Sequence, residues 1–110
     1  MFTVSSYDNI IKVIQGDTGI LELALEGYEL KEGDKVYFTV KKDYTSGKAL
    51  IFKEVTKFED GKAKIILNSD DTNLGAGTYL YDVQCNLADG RVDTVIVPTK
   101  FTVLGGVTDV

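Results

Sequence analysis

Alternation of apolar and polar residues dominates the chain and is cleanest between Gly77 and Leu87. Tyr79, Tyr81, Val83, Cys85 and Leu87 share one parity; Thr78, Leu80, Asp82, Gln84 and Asn86 share the other. Successive side chains of an extended strand point to opposite faces. The first set is therefore expected to line a core and most of the second to meet solvent. Ala88-Asp89-Gly90 follows. Asp-Gly favours a tight type I′ turn, whose two central residues both need positive φ. A second run opens at Val92, so the pattern predicts a central antiparallel hairpin of residues 79–87 with 92–101.

The rest of the chain repeats this grammar. Ile10-Ile11-Lys12-Val13-Ile14 is β-branched and predicts a strand, closed by the turn Gln15-Gly16-Asp17-Thr18. Leu21, Leu23 and Leu25 alternate with Glu22, Ala24 and Glu26. A turn at 30–34 delivers Val36, Phe38 and Val40 on one face, with Tyr37, Thr39 and Lys41 on the other. After a loop at 44–48, residues 49–55 place Leu50 and Phe52 on one side and Ile51, Lys53 and Val55 on the other. Glu59-Asp60-Gly61 turns the chain into a strand at 62–67, and 68–76 is the longest polar loop. Residues 1–9 read as a loose arm or a first edge strand. Helical periodicity is nearly absent. Only 69–74 suits a single helical turn, with Ser69 or Asp70 as its cap. Pro98 lacks an N–H to donate, so it marks an edge or bulge where the last strand changes partners. About seven short strands with turn signals between them predict an all-β, antiparallel, immunoglobulin-like β-sandwich.

Composition narrows the function. The chain has 110 residues, enough for one domain with a real core. Its net charge of −5 argues against nucleic acid and against an anionic membrane surface, since both recruit Lys and Arg. Met1-Phe2-Thr3-Val4 opens without the basic and long apolar regions of a signal peptide, so synthesis in a bacterial cytoplasm is expected. Histidine is absent, which removes the commonest general base, the usual partner of a nucleophilic serine and a usual zinc ligand. Cys85 is the lone cysteine and lies on the apolar parity, as a small core hydrophobe. Asp17, Asp34, Asp60 and Asp89 sit in turns, where carboxylates make local backbone hydrogen bonds. Asp70-Asp71-Thr72-Asn73 is rich in oxygen but lacks the ligand spacing of a calcium loop, so a capped turn is the better reading. No metal or cofactor is expected, and no enzymatic activity.

Several stretches, taken in order, carry a family resemblance: Gln15-Gly16-Asp17-Thr18, the run from Gly33 to Lys42, the run from Leu74 to Gln84, Leu87-Ala88-Asp89-Gly90, Thr94-Val95-Ile96-Val97-Pro98 and Lys100-Phe101-Thr102-Val103. Over about residues 10–104 the chain resembles the N-terminal immunoglobulin-like domain of the phage baseplate upper protein family. The resemblance implies a structural component of a phage or prophage virion, in a tail baseplate or another host-facing assembly. Its implied partners are other virion proteins, with self-association as a further option. Longer members of that family continue through a linker into further domains. A chain that stops soon after Leu104-Gly105-Gly106 is therefore expected to serve as an adaptor or decoration protein. The family offers no catalytic residues to transfer.

Two groups of residues are singled out. Tyr28, Tyr37, Thr39, Lys41 and Tyr44 form the candidate interaction surface, because exposed tyrosine covers much area at little entropic cost. Tyr79 and Tyr81 are expected to be structural. Tyr79 is placed like the tyrosine-corner residue of immunoglobulin domains, and its buried hydroxyl is expected to bond backbone near 71–74. Tyr81 stands where antibody domains keep a cysteine. The rival reading is a carbohydrate- or receptor-binding module.

Overall fold

A computed structural model describes residues 1–106. Among the described residues there are eight strands and no helix: β1 (Phe2–Val4), β2 (Ile11–Ile14), β3 (Gly19–Ala24), β4 (Lys35–Lys41), β5 (Ala49–Val55), β6 (Lys62–Leu67), β7 (Gly77–Asn86) and β8 (Val92–Leu104). Six form one sheet in the order β1-β2-β8-β7-β4-β5, and β3 pairs with β6 in the second. The sheets face each other across a single core, and the fold is an all-β sandwich of immunoglobulin-like topology. The eighth strand is β1: residues 2–4 form a short edge strand, which settles the choice between arm and strand.

The parities read from the sequence become the inner faces. Val36, Phe38 and Val40 of β4, Val83 and Cys85 of β7, and Ala63, Ile65 and Leu67 of β6 are fully buried. Each large apolar side chain so buried contributes about 1.5–3 kcal/mol. At the centre Phe38, Tyr81 and Phe101 pack as a trio, with ring centroids 5.4, 6.3 and 6.3 Å apart. Antibody domains hold this part of a sandwich with a tryptophan against a disulfide. Here aromatic packing does that job without a covalent bond.

Three local expectations are corrected. First, not every pair is antiparallel: β2 runs parallel to β8, with Ile11 opposite Phe101 and Ile14 opposite Leu104. Second, Asp89-Gly90 is not a type I′ turn. Gly90 has φ 95°, whereas Asp89 stays out of the positive-φ region. The Asp89 carboxylate accepts a hydrogen bond from the Arg91 amide at 3.0 Å, and Leu87 N–H closes a longer loop onto Arg91 O. Both central residues are left-handed instead at Asp60 (φ 53°) and Gly61 (φ 73°). Third, the 68–76 loop is capped one residue earlier than expected, where Asn68 and Asp71 bond each other's amides at 2.8 and 3.0 Å. At Pro98, β8 carries the expected bulge. Its register against β7 shifts between Tyr81 and Val83, a bulge beside the proline, and β2 becomes its second neighbour only from Phe101 onward.

Candidate functional site

β4 positions the site because it lies between β5 and β7 and turns three side chains outward. Thr39 stands opposite Phe52 on β5 and Asp82 on β7, while Lys41 faces Leu80 and Tyr37 faces Gln84. Phe52 is 57% exposed. Its ring stacks on Tyr37 across the diagonal, with centroids 5.7 Å apart and planes 25° apart. Beyond β4, Asp43 folds the loop by accepting hydrogen bonds from Thr45 N, Thr45 Oγ1 and Ser46 N at 2.8–3.0 Å. The Thr45 hydroxyl, with those amides, holds the Asp43 carboxyl below its ordinary value. This loop leaves Tyr44 76% exposed at the rim.

Between these elements lies an open depression of about 310 Å³ bordered by Thr39, Lys41, Tyr44, Asp82, Gln84 and Pro98. A cation, a carboxylate, a hydroxyl and an amide thus meet on one face beside an aromatic ring. Among the described residues neither Lys41 nor Asp82 takes part in an ion pair. Such groups are free to pair with something outside the chain.

Tyr28 does not belong to this surface. It is partly buried against the core at the other end of β4. Its hydroxyl donates to Asp34 Oδ2 at 2.8 Å and accepts from Lys31 Nζ at 2.5 Å. Lys31 and Arg91 flank its ring at 4.4 and 5.6 Å from the centroid. Asp34 is almost wholly buried and also accepts from Lys31 N at 3.0 Å and from Ala88 N at 2.8 Å. Burial raises its pKa, yet the two amides, the Tyr28 hydroxyl and the Lys31 charge outweigh that, and the carboxyl titrates below its ordinary value. The group ties three segments together, and its burial keeps the carboxylate from any ligand. Phe52, conversely, was legible only as sharing one side of a weakly patterned strand with Leu50. Its meeting with Tyr37 depends on the β4–β5 register.

The two structural tyrosines divide their work differently from expectation. Tyr79 is half-buried, not buried, but its hydroxyl donates to backbone where expected, to Gly75 O at 2.6 Å beside residues 71–74. Tyr81 is the fully buried one, and it donates to Asn9 O, pinning the N-terminal segment to β7. Burial, with the nearby Asp8 charge, pushes its phenol up to about 12. Burial likewise pushes the Cys85 thiol up to about 11, which makes it a poor nucleophile. In the 68–76 loop, Asp71 is held by Lys53 at 2.8 Å, and buried Thr72 donates to Asp17 O at 2.6 Å. Among the described residues no three His, Cys, Asp or Glu side chains converge as a metal site.

No family model and no curated protein matches the chain. Among solved structures, a "putative glycoside hydrolase" from Bacteroides vulgatus is similar at a TM-score of 0.49 and 16% sequence identity. The similarity covers 86% of this chain and 16% of that one.

Proposed function

We propose that this domain is a non-catalytic protein-binding module of a phage or prophage virion, in a tail baseplate or another host-facing assembly. Its contact surface is the outer face of β5, β4 and β7. The observation that carries the binding role is the convergence of Tyr37, Thr39, Lys41 and Tyr44 with Phe52 and Asp82 on one face, with charges unpaired among themselves. Other polar groups, such as Asp34 and Thr72, are consumed internally. The virion class rests on the order of the sequence motifs. Immobilised domain should capture products of adjacent tail genes, and Tyr44→Ala with Lys41→Ala should abolish capture without lowering the melting temperature. Failure to capture any virion protein, with measurable turnover of a sugar or peptide, overturns the proposal.

A second reading has its own observation. Thr39, Lys41, Asp82 and Gln84 around an open depression beside Tyr44 are the mixture of donors, acceptors and ring that a saccharide uses. A glycan array separates the two, because specific signal lost in Asp82→Ala favours the saccharide.

A further inference from the structure

Lys41 and Asp82 hold a fixed position relative to each other. Thr39 stands opposite Asp82 and Lys41 opposite Leu80, so the two charges are diagonal neighbours on adjacent strands. Such a diagonal spans about 7–8 Å. Among the described residues the ion pairs use Lys53, Lys62, Lys64, Arg91 and the terminal amine, and neither of these two. Around Asp82 the remaining groups are acceptors. Gln84, next on the same face of β7, spends its side-chain N–H on Asn86 Oδ1 at 3.1 Å, which leaves Oε1 as an acceptor. The pairing of β7 with β8 passes from Tyr81 to Val83 and skips Asp82 at the bulge. Pro98 borders the depression there with no N–H to offer.

We infer that this depression takes an extended segment of a partner protein in which an arginine and an acidic residue stand two positions apart, the guanidinium on Asp82 and Gln84 and the carboxylate on Lys41. The inference rests on the protein-binding reading above and names the chemistry its partner presents. The spacing argues for an extended segment. A strand advances about 3.3 Å per residue, so alternate side chains share a face about 7 Å apart and match the diagonal. Helical neighbours four apart stand only about 5–6 Å from each other. The acceptors argue for arginine. Its planar fork of donors bonds a carboxylate and an amide oxygen together, whereas lysine is a point charge. The exposed ring of Tyr44 borders the same depression and suits the flat face of a guanidinium. Lys41 has only donors and so requires an acceptor, best an anion. A segment with both charges is neutral, so its binding does not draw on the chain's net charge of −5.

The probe is the peptide acetyl-Gly-Arg-Ser-Glu-Gly-amide, titrated into the isotope-labelled chain. Amide resonances of residues 39–41 and 80–84 should move, saturate in the millimolar range and respond less as salt is added. Citrulline in place of the peptide's arginine, or glutamine in place of its glutamate, should each weaken binding about threefold or more. These two comparisons use the unaltered chain and do not depend on a variant folding. Lys41→Asp should reject this peptide and favour acetyl-Gly-Arg-Ser-Arg-Gly-amide. Lys12→Asp makes the same charge change on β2 and should alter neither affinity. Absence of saturable shifts at these residues overturns the inference. So does binding indifferent to citrulline, or a Lys12→Asp response equal to that of Lys41→Asp. Capture of a virion protein that survives Asp82→Asn, with no peptide shifts, sinks the inference and leaves the proposed function standing. Peptide binding as described, with no virion protein captured, does the reverse.

Discussion

The two ends of β4 both gather tyrosine, lysine and aspartate, yet they are opposite kinds of place. At its start, Asp34, Tyr28 and Lys31 satisfy one another and reach Ala88 across the hairpin loop. At its finish, Lys41, Asp82 and Tyr44 border an open depression, and the charges have no partners among the described residues. Polar residue types alone do not distinguish a strut from a binding surface. What distinguishes them is whether the donors and acceptors are used up. A buried group must be satisfied, because an orphaned partner costs about 1–3 kcal/mol. An exposed group left unpaired costs nothing, since water serves it.

The comparison breaks most easily at the closed end. Asp34→Ala orphans two amides and the Tyr28 hydroxyl together and should destabilise the fold by about 3 kcal/mol in urea titrations. A loss under about 1 kcal/mol would mean that the cluster is not the strut described. The same carboxyl gives a pH test. Its folded pKa lies below the unfolded one, so its stabilisation is complete above about pH 4 and is lost as pH falls through the lower folded value. Melting temperature should therefore drop on acidification in the unaltered chain and drop less in Asp34→Asn. Next in size is Tyr81→Phe, on the inner side of the open end, at about 1–2 kcal/mol for the lost bond to Asn9. Tyr79→Phe should cost less, about 0.5–1 kcal/mol, because water can reach the Gly75 carbonyl. Smallest are Lys41→Ala and Asp82→Ala, each within about 0.5 kcal/mol in stability. Their effect should appear instead in capture of a partner. A large stability loss in either would place the open end in the same category as the closed one.

How far these ends were legible depends on the range of the interactions. Parity is local, so the inward Val36-Phe38-Val40 and Val83-Cys85 rows and the outward Tyr37-Thr39-Lys41 row were all readable in advance. Pro98 announced a bulge for a local reason too, the missing N–H. The Asp34–Ala88 bond spans 54 residues, and no periodicity encodes it. Tyr28 looked like Tyr44, another loop tyrosine, until its hydroxyl was found on Asp34. The two Asp-Gly turns make the same point at short range. The dipeptide permits a left-handed pair at Asp60-Gly61, but at Asp89 the carboxylate selects a different turn through Arg91.

The parallel pairing of β2 with β8 has a mechanical consequence. Tension applied between the two ends of the domain pulls β2 backward and β8 forward along their common axis. The ladder from Ile11–Phe101 to Ile14–Leu104 is then loaded in shear, so its bonds resist together. β1, antiparallel to β2 over three residues, is loaded as a zipper and peels first. Under such a load β1 is expected to release before the β2–β8 ladder gives way.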